Sequence, residues 1–139
     1  MNATVAKRIV VGYDGSKAAR RALERAAELA GYGTTVTVVS VAPSIYTNGL
    51  PPLADPDDVE RAQRLLDDAR AQLVARHVTV STCDPVGDAA EQIVQTAEEL
   101  GADLVVVGTH NGHALGRLVL GSTSTSVLHR APCDVLVVR

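Results

Sequence analysis

Aromatic side chains are nearly absent from this chain of 139 residues, which has three Tyr, no Phe and no Trp. Binding of single-stranded nucleic acid relies on bases stacking on exposed rings, so this shortage argues against that class of function. A basic face for a phosphate backbone is missing too, because 13 Lys and Arg stand against 16 Asp and Glu for a formal charge of −3. Cysteine is scarce. Cys83 and Cys133 lie far apart with no CxxC spacing, which offers neither a disulfide framework nor a zinc site, and both read as small buried hydrophobes. Long apolar runs are lacking: the stretch Leu104-Val-Val-Val107 is far too short to cross a bilayer, and the N-terminus has no apolar h-region. Together these absences predict a soluble cytoplasmic protein that engages neither nucleic acid nor membrane.

What is present is aliphatic. Hydrophobic residues make up 46% of the chain, enough for a core, and the length predicts one domain over residues 1–139. A core built from Val, Ala, Leu and Ile suits strands buried on both faces and helices packed closely through Ala. Arg8–Gly12 reads as a first strand, ended by Tyr13-Asp14-Gly15. Ser16 then caps a helix whose Ala19, Ala22, Leu23, Ala26 and Ala30 recur at helical spacing, with Gly31 as its stop. Thr34–Val41 is a β-branched second strand, followed by a Pro- and Gly-rich loop to Ala54. Asp55, Pro56, Asp57 and Asp58 open a second helix with Val59, Ala62, Leu66, Ala69 and Leu73 as its apolar stripe. Its other face, with Arg61, Arg64, Asp67, Asp68 and Arg70, reads as solvated.

Val78–Cys83 is a third strand, a helix over Ala90 to Leu100 stops at Gly101, and Asp103–Gly108 is a fourth strand with a continuous apolar run. Ser122–Arg130 can form a fourth helix ended by Pro132, and Asp134–Val138 a fifth strand. Five strands separated by four helices imply an α/β fold with right-handed crossovers and a parallel sheet covered by helices on both faces. The arrangement expected is an open, doubly wound, Rossmann-like sheet of order 3-2-1-4-5. Ligands of such sheets sit outside the carboxyl ends of the strands where the order reverses, which selects Asp14, the Val41 region and Gly108 to Ser122.

Gly108 to Ser126 is the densest chemical signal, combining glycines, Ser and Thr hydroxyls and a helix start. Backbone N–H groups at a helix N-terminus suit phosphate, but the same residues also serve as plain turns with Ser122 or Thr123 capping the helix. The segment is not a Walker A loop: Gly116-x4-Gly121-Ser122-Thr123 has Ser where the Lys must be.

Four motifs together resemble the universal stress protein family along nearly the whole chain: Asp14-Gly-Ser-Lys-Ala-Ala19, Gly101 to Gly108, the glycine pattern around residues 108–122, and Ala131-Pro-Cys-Asp-Val-Leu-Val-Val138. The resemblance implies a stress-response regulatory protein binding an adenine nucleotide. ATP would be accompanied by Mg²⁺ or Mn²⁺ held mainly by the phosphates. It implies that Gly12, Tyr13 and Asp14 border the adenosine, that the Val41 main chain reads the adenine edge, and that Val107 and Gly108 lie beside the ribose. Gly121, Ser122, Thr123 and Ser124 would hold the phosphates. It also implies a homodimer through Asp134–Val138 and an unidentified regulatory protein partner.

One position departs from the family's G-x2-G-x9-G-(S/T) pattern. Asn111 stands where the second glycine belongs, with Gly112 displaced by one. Asn tolerates left-handed backbone better than other non-glycine residues, yet its side chain occupies space that glycine leaves to a ligand oxygen. Two alternatives therefore stay open: a dimeric interaction module of the same fold without nucleotide, and a slow ATPase or nucleotidyl transferase. Efficient turnover is disfavoured by the missing Walker Lys and the lack of an acidic metal cluster. His110, His113 and Arg117 flank the segment as surface or phosphate-contacting groups rather than catalysts, and His77 and His129 have no ligand-like companions. Asp14 reads as a ribose acceptor or as a turn acid accepting from Ser16 N–H.

Overall fold

Nine elements alternate along the chain in the computed structural model, which describes residues 6–45, 48–109 and 120–139. They are β1 (Arg8–Gly12), α1 (Lys17–Leu29), β2 (Thr35–Val39), α2 (Pro56–Ala75), β3 (Thr79–Cys83), α3 (Ala89–Leu100), β4 (Leu104–Gly108), α4 (Ser122–Arg130) and β5 (Asp134–Val138). All strands pair in parallel, in the expected order β3-β2-β1-β4-β5. The register is continuous: Ser81, Thr37, Val10, Val105 and Val135 form one row across the sheet.

Side-chain alternation splits the core into two. Ile9, Val11, Val36 and Val38 face α1 and α2, whereas Val10, Val39, Val105 and Val107 face α3 and α4. The central strands are buried on both faces, and each fully buried Val, Leu or Ile contributes about 1.5–3 kcal/mol. Small residues let α1 approach closely. A Cβ added to Gly108 would lie 2.5 Å from the carbonyl carbon of Ala18, so β4 and α1 touch backbone to backbone there.

Helix ends follow the expected chemistry, with exceptions. Ser16 Oγ accepts from Ala19 N–H, Asp55 from Asp57 N–H, and Asp88 from Glu91 N–H; Gly101 closes α3 in the left-handed conformation at φ 61°. Gly31 does not stop α1. The helix ends at Leu29 with Ala30 as cap, the following turn takes its positive φ at Gly33, and Gly31 N–H donates instead to Thr34 Oγ1. The second strand is shorter than its β-branched run, because β1 turns away after Tyr13 and leaves β2 nothing to pair with on that side beyond Val39. Cys83 and Cys133 are free thiols, half-buried against the α3–α4 side of the core, and burial raises both pKa values.

Candidate functional site

At the carboxyl ends of β1, β2 and β4 the chain leaves a cleft of about 180 Å³. Sheet residues form its floor: Gly12, Tyr13 and Asp14 from the exit of β1, Val39 to Val41 from β2, and Val107 to Thr109 from β4. Helices supply the walls, with Ala19 of α1, Ala89 and Ile93 of α3 and Thr123 of α4. The place is the one that strand order dictates, since β1 leads to β2 on one side and β4 lies on the other.

Of the residues singled out from sequence, the cleft gathers Gly12, Tyr13, Asp14, Val41, Val107, Gly108 and Thr123. Gly121, Ser122 and Ser124 stand beside it at the start of α4 without lining it. Asn111, His110, His113 and Arg117 lie outside the described residues.

Val41 is set apart by its backbone. Ser40 N–H donates to Cys83 O and Ala42 N–H to Pro85 O, so the segment after β2 keeps its pairing toward β3. In a parallel ladder alternate residues bond to opposite neighbours, so Val41 points its peptide groups toward β1. There the last bond is Tyr13 N–H to Val39 O, and Val41 makes no backbone hydrogen bond with a described residue. A donor and an acceptor with no partner among the described residues thus face the cleft, where a ligand could present the complementary edge.

Among the described residues, no side chain caps the start of α4 either, where Gly121 is the N-cap. Ser122 and Thr123 belong to the first turn, so neither is the cap; Ser124 is buried and donates to Gly121 O at 3.0 Å. With no described side chain capping them, the first-turn N–H groups and the positive end of the helix dipole suit an anion.

Tyr13 and Asp14 have structural employment. The Tyr13 ring is buried, and its hydroxyl donates to Asp68 of α2 at 3.3 Å. Burial pushes its pKa above 10.0, and the Asp68 carboxylate adds to the rise against the neighbouring Arg20. Asp14 Oδ1 accepts from Ser16 N–H at 2.9 Å, as the turn-acid reading expects. Glycine at 12 and 108 answers to packing: a Cβ at Gly12 would meet Ile93 Cδ1 at 2.7 Å, as one at Gly108 would meet α1.

Sequence reasoning missed the contribution of α2. Asp58, Arg61, Ala62 and Leu65 line the cleft, although Asp58 reads as a first-turn acid and Arg61 as part of a solvated face. Helical periodicity separates apolar from polar positions, but it does not reveal which polar ones overhang the end of a sheet. Among the described residues, no three His, Cys, Asp or Glu side chains group as a metal site.

The model of the universal stress protein family matches residues 6–139. The chain belongs to that family. A universal stress protein of Thermus aquaticus, encoded in the 3′ region of a QAH/OAS sulfhydrylase, is 38% identical over 141 residues, covering 96% of this chain and 98% of the relative. A universal stress protein family structure from Burkholderia pseudomallei is 32% identical with a TM-score of 0.73, covering 99% of this chain and 98% of the other. The universal stress protein from Archaeoglobus fulgidus, solved in complex with dAMP, is 25% identical with a TM-score of 0.78, covering 98% and 100%. The parallel sheet of order 3-2-1-4-5 described above is the universal stress protein fold.

Proposed function

We propose that this universal stress protein binds an adenine nucleotide in the cleft, ATP with Mg²⁺ or Mn²⁺ being the ligand that its sequence pattern implies, and that occupancy controls a protein partner or its own oligomeric state. The observation that carries the reading is the pairing of two complementary features, the peptide edge at Val41 and the start of α4 at Gly121 to Ser124, neither of which is closed off by a described residue. A base with adjacent donor and acceptor atoms suits the first, and a phosphate chain suits the second. The dAMP complex of the Archaeoglobus fulgidus relative supports the same class of ligand.

The residues divide the work. Val41 main chain would read the adenine edge, with Gly12, Tyr13 and Asp14 bordering the nucleoside and Val107 and Gly108 beside the ribose. Gly121, Ser122, Thr123 and Ser124 would hold the phosphates through backbone N–H and hydroxyl groups. A divalent cation, held mainly by phosphate oxygens, supplies charge neutralisation when bound.

Dimerisation through β5 belongs to the same proposal. Val135 to Val138 are only half-buried on an open sheet edge, and a twofold mate would cover them. The second reading, a dimeric module of this fold without nucleotide, is favoured by Asn111 in the place of the motif glycine. Mass spectrometry of small molecules released by denaturing the purified protein, paired with titration of ATP and Mg²⁺, separates the two. An adenine nucleotide recovered or bound supports the leading reading; an empty chain that acquires ATP affinity only after Asn111→Gly supports the second.

A further inference from the structure

The described lining of the cleft contains a single cation, Arg61 of α2. Two other arginines of that helix are engaged elsewhere: Arg64 pairs with Glu60 at 3.0 Å, and Arg70 donates to Thr82 Oγ1 at 3.1 Å. Arg61 makes no hydrogen bond or ion pair with a described residue, and it reaches the cleft from an exposed position.

Its place in the fold says which part of a ligand it meets. Asp58, Arg61, Ala62 and Leu65 of α2 share the cleft with Val39, Val41 and Pro43, the segment that follows β2. The start of α4, which suits phosphate, lies on the opposite face of the sheet next to β4, and β4 is two strands away from β2. Two strand spacings are about 10 Å, so Arg61 sits on the base side. Among the described residues that side offers no aromatic platform: the Tyr13 ring is buried with its hydroxyl on Asp68, and Val41, Pro43, Ala62 and Leu65 are aliphatic walls. A guanidinium is planar and cationic, and it stacks on π systems where a ring is missing.

Resting on the adenine-nucleotide reading, we propose that Arg61 is a base-contacting residue, its guanidinium lying against the π face of the base that Val41 holds by its edge.

The test is an NMR titration of the full chain and of Arg61→Met with adenosine and with ATP plus Mg²⁺. Met keeps the helix propensity and most of the apolar stem at this exposed position. The expected result is an affinity loss of about two- to tenfold that is equal for adenosine and ATP. A loss for ATP alone overturns the inference, because the cation then reads phosphate. Wild type and variant binding both ligands equally overturns it as well, while leaving the parent reading intact. Wild type binding neither ligand overturns the parent reading and this inference with it.

Discussion

The Tyr13 hydroxyl donates to Asp68 Oδ2 at 3.3 Å, tying the residue that leaves β1 at the floor of the cleft to the helix that forms one of its walls. Tyr13→Phe removes this bond while Asp68, at the surface, keeps its contact with Gln72 Nε2. The expected loss at neutral pH is about 1 kcal/mol by denaturant titration. The pKa of Tyr13 is raised in the native state, so above pH 10 the unfolded phenol ionises while the native one holds its proton. Wild-type stability therefore falls as pH rises from 10 through the native pKa. The Phe variant lacks that slope, and the gap between the two narrows.

Gly108→Ala places a methyl 2.5 Å from the backbone of Ala18, and α1 must move to admit it. A destabilisation of about 2–3 kcal/mol is expected in chemical denaturation. Gly12→Ala meets only the end of the Ile93 side chain and is expected to be milder. Equal effects at the two positions would contradict the packing argument.

Asp103 accepts from Lys7 N–H at 2.7 Å and Arg8 N–H at 2.9 Å where the chain enters β1. The Arg8 bond first, and then the Lys7 bond, hold its carboxyl below the ordinary 3.8. A depressed native pKa contributes stability that is present above the unfolded value and lost as pH falls through the native one. Asp103→Asn is expected to flatten the acid limb of the stability profile below pH 4, with little change in its alkaline limb.

Gly121→Asp sets two effects against each other. The N-cap has φ −69° and ψ 166°, a conformation open to any residue, so an Asp there can accept from the first-turn N–H groups. The helix gains a cap and a favourable dipole contact, about 0.5 kcal/mol in thermal denaturation. The same carboxylate sits where phosphate would bind, and ATP affinity is expected to fall more than tenfold.

Much of this molecule is legible along the chain. The apolar runs of β1, β4 and β5, the caps Ser16 and Asp55, and the Gly101 stop are local signals, and they reappear in place. Parallel pairing follows from the regular alternation of strand and helix, whereas several strand orders are compatible with it. The misreadings are those that depend on a neighbour. Thr34 to Val41 is rich in β-branched residues, but how far β2 pairs on the β1 side is set by where β1 ends, and that same limit leaves Val41 without a described backbone partner. Gly31 looked like a stop until Thr34 Oγ1 engaged its N–H. Arg61 reads as solvated because its helix is amphipathic, and only the tertiary placement of α2 over the strand ends brings it to the cleft.

Isothermal titration of the wild-type chain with ATP and Mg²⁺ tests the central claim most directly. The account predicts saturable binding of one nucleotide per chain, sharply weakened in Gly121→Asp. Absence of both heat and thermal shift at millimolar nucleotide would contradict it.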